Sequence, residues 1–298
     1  MRIVVTGSSG LIGQALVSRL RQAGHQVVPL VRRAPGPGEA AWDPVAGTID
    51  PRALPGAGAV VHLAGAGIAD RRWSPARRRQ ILDSRVRSTD LLARTLAVGA
   101  AEGSPVLISG SAVGWYGDRG DEELTETSGA GGGFLADVCR RWEEATGPAE
   151  AAGLRVAHLR TGIVLSRHGG ALARQLPLFR LGLGATLGSG RQWVSWISLD
   201  DEVGAIEHVI ATDGLVGPVN ATAPEPVTNR VLTRQLGRTL HRPALLRMPP
   251  LALRLALGAQ LADEALLGGQ RVLPAALEHH GYRFRHPTLP GALAAALG

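Results

Sequence analysis

The residues best suited to chemistry form one run, Thr6-Gly7-Ser8-Ser9-Gly10-Leu11-Ile12-Gly13, set between an apolar strand-like stretch and a helical pattern. A diphosphate needs close approach of the main chain, which a Cβ would block. It also needs free N–H groups, which the first turn of a helix supplies. On this reading the run from Gly7 through Ser9, Gly10, Leu11 and Ile12 to Gly13 is a candidate seat for a diphosphate, and Gly13, the third glycine, also lets the helix pack closely on the strand. A glycine triplet alone is a weak signal, with a plain structural turn as the bland alternative; the strand–turn–helix setting strengthens it.

A second feature bears on which dinucleotide would fit. Sites for NAD place a carboxylate about 20 residues after the glycines, to hold the ribose 2′-hydroxyl. Here the second strand-like run ends Leu30-Val31-Arg32-Arg33, and the first acid is Glu39. A guanidinium suits a 2′-phosphate through paired, charge-assisted hydrogen bonds. The expectation is therefore NADP(H) in preference to NAD(H), with two solvated surface arginines as the alternative.

These residues need a scaffold, and the apolar pattern provides one. Arg2–Thr6, Gln26–Val31, Ala59–Leu63, Val106–Ser109 and Arg155–Leu159 read as strands, and Leu11–Ala23 as a helix closed by Gly24. Strands alternating with helices predict a parallel α/β sheet, with right-handed crossovers that wind it doubly. Ser74-Pro75 is a helix start, predicting a helix to about Glu102 with seven arginines between Arg71 and Arg87. A solvated face explains most of them. Beyond residue 165 the pattern loosens: Trp193–Ile197 reads as a strand, Asp200–Ala211 and Val227–His241 as helices, and the chain from Pro249 as Leu/Ala-rich helix.

Composition bounds the rest. A chain of 298 residues, 45% hydrophobic, buries a sizeable core and is not disordered. The lone Cys139 excludes a disulfide scaffold, and no apolar run is long enough for a membrane helix. A cytoplasmic location is the expectation. All 32 basic residues are arginine, giving a net charge of +7 with no lysine anywhere. A polyanion partner is one reading, yet the arginines are spread among 25 acids, so no nucleic-acid partner is expected.

The G-x-x-G-x-x-G spacing, Val60-Val61-His62-Leu63-Ala64-Gly65 and Ser109-Gly110-Ser111 resemble the extended short-chain dehydrogenase/reductases, the NAD(P)-dependent epimerase/dehydratase family. A narrower likeness is to its atypical epimerase-family-protein subgroup with a C-terminal helical extension. It rests on Trp42-Asp43-Pro44, Arg72-Trp73-Ser74, Asp83-Ser84-Arg85, Gly114-Trp115-Tyr116-Gly117-Asp118, Trp142-Glu143 and Asn220-Ala221-Thr222-Ala223-Pro224. In the tail, Gly268-Gly269-Gln270-Arg271 and Gly281-Tyr282-Arg283-Phe284 carry the same likeness. The resemblance implies that Arg32, with Arg33 beside it, meets the 2′-phosphate. Leu63, Ala64 and Gly65 would line the adenosine ribose, with Arg85 and Ser109 also at the cofactor. Thr161 and Gly162 would sit near the nicotinamide, and Ser111 would match the family's catalytic serine.

One departure governs mechanism. The family's usual chemistry uses Tyr-x-x-x-Lys on the helix after that serine; here Phe134 stands at the tyrosine position and Val138 at the lysine position. With no lysine in the chain the pair cannot come from elsewhere. Of the two tyrosines, Tyr116 follows Ser111 most closely and is the candidate donor, with packing as its alternative. A phenol without a cationic partner is a poor base near neutral pH, so reduction is favoured over alcohol oxidation. Trp73, Trp115, Phe134, Trp193 and Trp196 are candidate walls of a substrate pocket, each equally readable as core. Arg160 and Arg85 are candidates to hold an anionic group, or structural ion-pair members. Asp200 and Asp201 read as helix N-terminal acids, and the histidine that often precedes them in the subgroup is Ser198 here. Cys139 reads as a small buried residue, and no metal site is supported by His279-His280.

The sequence thus predicts an α/β, Rossmann-like doubly wound parallel sheet with a smaller C-terminal substrate and helical subdomain. The NADP-binding core covers residues 1–165. Residues 166–298 contribute the substrate pocket, a helical extension from about 245, and strands that return to the sheet. The expected function is an NADP(H)-dependent oxidoreductase or epimerase-like enzyme on a small carbonyl, imine or sugar-like substrate, with a homodimer as the possible assembly. The alternative is a catalytically degenerate NADP(H)-binding sensor or scaffold.

Overall fold

The computed structural model describes residues 1–99 and 105–298. The chain opens with β1 (Arg2–Thr6), α1 (Leu11–Gln22), β2 (Gln26–Val31), β3 (Ala40–Asp43), β4 (Thr48–Ile49) and β5 (Ala59–His62). Next come α2 (Pro75–Val98), β6 (Val106–Ala112), a 3₁₀ turn at Val113–Tyr116, β7 (Glu123–Leu124), α3 (Phe134–Glu144) and α4 (Gly147–Ala151). They lead to β8 (Val156–Thr161), β9 (Ile163–Leu165), α5 (Gly170–Arg180), β10 (Ala185–Leu187), β11 (Trp193–Val194) and β12 (Trp196–Ser198). After α6 (Leu199–Ala211) and β13 (Gly217–Ala221) lie β14 (Val227–Thr228), α7 (Asn229–Thr239) and β15 (Leu246–Met248). The chain ends with α8 (Pro250–Leu257), α9 (Ala259–Ala262), a π-helical turn at Asp263–Leu267, β16 (Arg271–Val272), α10 (Ala275–His279) and α11 (Leu289–Leu297).

The main sheet runs β13-β8-β6-β5-β1-β2-β3-β4 and is parallel except for the last pair, as in a Rossmann-like fold. Both faces are covered, which is why its strands read as unbroken apolar runs. Helix α1 buries Gly13, Leu16, Val17 and Leu20, a stripe at helical spacing, into a core shared with Val203 and Ile206 of α6. On the opposite face Leu92 and Leu96 of α2 join Ala149 of α4 over Val4, Val60 and Leu107. Each fully buried leucine contributes roughly 1.5–3 kcal/mol.

Strand order reverses beside β1, with β2 on one side and β5 on the other. That is where ligands collect in open α/β sheets. Register carries the site from there: Thr6 lies opposite Leu30 and His62, His62 opposite Ser109, and Ser111 opposite Arg160. Asn220 and Ala221 continue the row beside Arg160 and Thr161.

Residues 166–298 are laced into the core. They supply β13 to the main sheet and α6 to the face under α1, where Arg19 meets Glu207 at 2.7 Å. A third apolar cluster joins Leu172 and Phe179 of α5, Trp196, Leu236 of α7 and Leu293 of α11.

Several local expectations change. The run Trp193–Ile197 is two strands with different partners, β14 for the first and β9 for the second. It breaks at Ser195, whose Oγ donates to Gln270 and accepts from the Val272 amide. The predicted Val227–His241 helix begins at Asn229, because Thr228 caps it by accepting from the Val231 amide. The tail is not wholly helical: β15 pairs with β10, and β16 with β7. Helix α2 is described to Val98, and its predicted end near Glu102 lies outside the described residues. Among the described residues no helix is long and apolar enough to cross a membrane.

Candidate functional site

The β1–α1 turn is shaped by what its glycines lack. Gly7 has φ +67°, and a Cβ there would lie 2.7 Å from the Leu63 carbonyl carbon. A Cβ on Gly13 would lie 2.2 Å from the Gly7 oxygen, so this glycine packs the helix onto the turn and not onto the strand. Gly10 donates to Gly7, and the ladder of α1 starts with Gln14 donating to Gly10. The amides of Leu11, Ile12 and Gly13 therefore precede the first intrahelical bond. Ser9 and Gly10 are exposed and Leu11 and Ile12 half-buried, so this end of α1 faces outward.

The neighbouring loop is held in place from inside. Thr6 Oγ1 accepts from the amides of Leu63 (3.2 Å) and Ala64 (3.3 Å) and lies 2.7 Å from His62 Nδ1. His62 Nε2 lies 2.9 Å from Ser88 Oγ, which itself donates to Ser84 O. One assignment satisfies every atom: Nε2 carries the hydrogen and Nδ1 accepts from Thr6. Burial pulls His62 down to about 3, keeping the ring neutral. This buried relay, which sequence reasoning missed, fixes Leu63–Ala64 against Gly7.

The two arginines after β2 have different fates. Arg33 forms a two-bond pair with Glu39, at 2.6 and 2.7 Å. Arg32 is exposed and has no ion pair or side-chain hydrogen bond within the described residues. Of these two, Arg32 is the one left for an external anion.

On β6, Ser109 is buried mid-strand, and near the strand's end Ser111 Oγ donates to Glu143 Oε1 at 2.6 Å. Glu143 also takes Nε and Nη2 of Arg160, both at 2.8 Å. Arg160 Nη1 donates to the Tyr116 hydroxyl, which donates to Asn220 Oδ1 at 2.7 Å. The Arg160 guanidinium carbon sits over the Trp115 ring, 3.9 Å from its centre. Tyr116 is thus fully buried in a network, not set facing a pocket, and burial raises its phenol above the ordinary value. Arg160 is consumed inside the protein, so it does not hold an anionic ligand. His158, held below its usual value chiefly by burial, bonds Thr146 instead of completing a charged pair with Glu143. The signal for Glu143 was present in Trp142-Glu143, but only the packing of α3 on β6 aims it at Ser111, which the β6–β8 register sets opposite Arg160.

Helix α3 presents Phe134, packed edge-on against Trp73 at 5.0 Å between ring centres. Both rings are half-buried. Val138 is buried, and Cys139 is buried with its thiol pushed up to about 11, an inert group. The α3 N-terminus is met by Glu264, which accepts from the Leu135 amide, so the tail closes over this corner. Trp193 bonds Asp121 and carries Arg271 on its face, joining the two halves of the chain. Trp196 does not wall a pocket: it is fully buried in the C-terminal core, with its Nε1 on Glu225 O. Thr161 donates to Glu202, a fully buried acid pushed up to about 8 by desolvation, whose Oε2 has no partner among the described residues. Gly162 lies against Ser195, where a Cβ would come within 2.6 Å of its carbonyl. Asp201, read as a helix-end acid, takes Ser198, Tyr282 and the amides of Arg285 and His286.

Sheet order, the glycine turn and the strand-end residues define a dinucleotide-type Rossmann site. The chain belongs to the NAD dependent epimerase/dehydratase family, whose model matches residues 3–220. Residues 248–296 match a domain of unknown function, DUF1731. The chain is 50% identical over 292 residues to "Epimerase family protein Mb2239" of Mycobacterium bovis, covering 98% of this chain and 96% of that protein. It is 36% identical to human "Epimerase family protein SDR39U1", with 98% of each covered. A crystal structure of the human protein with NADPH superposes with a TM-score of 0.91, 33% identity and 99% coverage of both chains. A Thermus thermophilus UDP-glucose 4-epimerase in complex with NAD shares the fold at a TM-score of 0.76 and 19% identity, covering 99% of this chain and 97% of that one.

Proposed function

We propose that this chain binds NADP(H) across the ends of β2, β1, β5 and β6 and works as a reductase or epimerase-like enzyme on a small carbonyl, imine or sugar-like substrate. The observation that carries this reading is the glycine cradle at Gly7, Gly10 and Gly13, which side chains would fill, with the unengaged Arg32 one strand away. The amides of Leu11, Ile12 and Gly13 would hold the pyrophosphate, and Arg32 the 2′-phosphate. Human SDR39U1, solved with NADPH, supports the choice of cofactor. When bound, the cofactor supplies hydride at the nicotinamide ring.

The chain's own residues favour reduction. No Tyr–Lys base is present, and the Tyr116 phenol, raised by burial, stays protonated at neutral pH. Ser111 and Tyr116 already donate to Glu143 and Asn220, so each must release that bond before donating to a substrate oxygen. Trp73, Phe134, Trp115 and Trp193 would wall the substrate side. Titration with NADPH and NADH, followed by protein fluorescence and thermal shift, tests the reading. Saturation by NADPH below millimolar levels, tighter than by NADH, is expected; no saturation by either overturns it.

The committed hydroxyl hydrogens of Ser111 and Tyr116 favour a second reading, an NADP(H)-binding sensor or scaffold without turnover. A carbonyl and imine panel discriminates. Tight NADPH binding with no oxidation of NADPH, unchanged in Ser111→Ala, selects the sensor.

A further inference from the structure

The end of α5 remote from the glycine turn carries a surface that is apolar and cationic at once. At the start of α5, Gly169 and Gly170 lie against Leu11, and the helix takes the chain roughly 16 Å away to Arg180. There β10 pairs in parallel with β15, and Arg242 Nε donates to Arg180 O. A Cβ on Gly182 would lie 3.3 Å from Pro243. The segments 178–187 and 242–255 therefore lie side by side. On them Leu181, Leu183, Leu245, Leu246, Leu251 and Leu255 are 49–87% exposed. A single exposed leucine is ordinary, but six on adjoining segments are not.

Neither face of this ribbon is covered. Successive strand residues point to opposite faces, yet Leu245, Leu246, Arg247 and Met248 are all exposed. β15 therefore projects, with β10 as its one strand partner among the described residues. Helix α8 buries only Leu253, while Leu251 and Leu255, one turn apart, share a face that is open to solvent. Charge is segregated here too. Across the whole chain arginines mix with acids, but between Glu225 and Asp263 there are six arginines and no acid, and between Glu150 and Asp200 the same. Asp70 and Asp263 answer Arg174 and Arg254. Arg180, Arg234, Arg238, Arg242 and Arg247 are exposed and pair with no carboxylate among the described residues. Arg234, Arg238 and Arg242 line one depression with Leu245.

We propose that this face docks on an anionic phospholipid surface, its projecting leucines entering the interface while the arginines meet lipid phosphates. Charge and apolarity together choose this occupant. A second copy of the chain, meeting the patch by two-fold symmetry, would set five unpaired guanidinium groups against five more. A nucleic acid would answer the arginines through its phosphates and leave the leucines in water. A bilayer presents negative headgroups directly over hydrocarbon and so answers both. The proposal stands apart from the NADP(H) reading, since it uses no residue of the glycine cradle or of the Ser111–Glu143 network.

The test is vesicle flotation of the full chain at low and high salt, with phosphatidylcholine alone and with phosphatidylcholine mixed with phosphatidylglycerol. Expected is capture by the mixed vesicles, little capture by phosphatidylcholine, and a decline with salt. The double variants Leu245→Ser/Leu255→Ser and Arg238→Glu/Arg247→Glu should each lower partition onto mixed vesicles by about tenfold or more. All four side chains are exposed, and an unchanged melting temperature reports that the variants are folded. No capture of wild type by mixed vesicles at low salt overturns the proposal, a result that needs no variant. Capture that either double variant leaves unchanged overturns it as well. In particular, loss with the arginines alone, and duplex DNA bound as tightly as vesicles, would mark a general polyanion site. A dimer in sedimentation velocity that Leu245→Ser/Leu255→Ser dissociates would assign the leucines to a second copy and overturn it too.

Discussion

Arg160 and Arg32 are the same residue type with opposite fates, and the difference is burial. Arg160 is 3% exposed and places three donors on Glu143 and Tyr116. Removing one partner of a buried pair strands the other, so Arg160→Met should cost about 3–5 kcal/mol, read by urea unfolding. Arg32→Glu, on the surface, should leave stability within about 0.5 kcal/mol. It should weaken NADPH far more than NADH in the same titration. Two buried titratable groups give a pH signature. His62 sits at about 3 in the fold against 6.5 unfolded, so the unfolded chain binds more protons in between and stability rises with pH across that window. Glu202 sits at about 8 against 4.5, so the folded chain holds the extra proton and stability falls as pH rises from 4.5 to 8. Glu202→Gln should therefore gain stability relative to wild type as pH goes from about 5 to 8; a pH-independent difference in urea midpoint would contradict the assignment.

Elements explain why neighbouring glycines are not equivalent. Gly24 has φ +80° with nothing near its missing Cβ, whereas Gly7 has both a positive φ and a backbone neighbour at 2.7 Å. Gly24→Ala should cost only about 1–2 kcal/mol of left-handed strain. Gly7→Ala should cost more, displace Leu63–Ala64, and lose NADPH binding. Denaturation and titration on the two variants check this, and equal effects would mean the turn is not a close-approach site. The β1–α1 unit was legible in the sequence because its signals are local: an apolar run, a glycine turn, a stripe at helical spacing. The short pairs β16 on β7 and β15 on β10 were not, since two or three residues carry no periodicity and their partners lie far along the chain.

At the scale of the molecule the tail is part of the core's construction. Tyr282 and the amides of Arg285 and His286 satisfy buried Asp201, Leu273 accepts from Asn220, and Val272 packs on Tyr116 and Leu124. Ending the chain after Met248 should strand that carboxylate and open the cluster, lowering the melting temperature of the whole protein. Calorimetry of the full chain should show one transition; a separate low-temperature transition for residues 249–298 would show that the tail stands apart.

The amino-acid sequence by itself determined the parallel α/β class, the glycine turn and the missing Tyr–Lys pair, because each is a matter of residue type at short range. Only the tertiary structure decided what each candidate side chain faces. It committed Ser111 to Glu143, buried Tyr116 and Trp196, paired Arg33 with Glu39, and left Arg32 and Arg85 without a counter-ion among the described residues. Whether a charge is spent or available depends on what strands and helices distant in sequence bring beside it, and no local pattern encodes that.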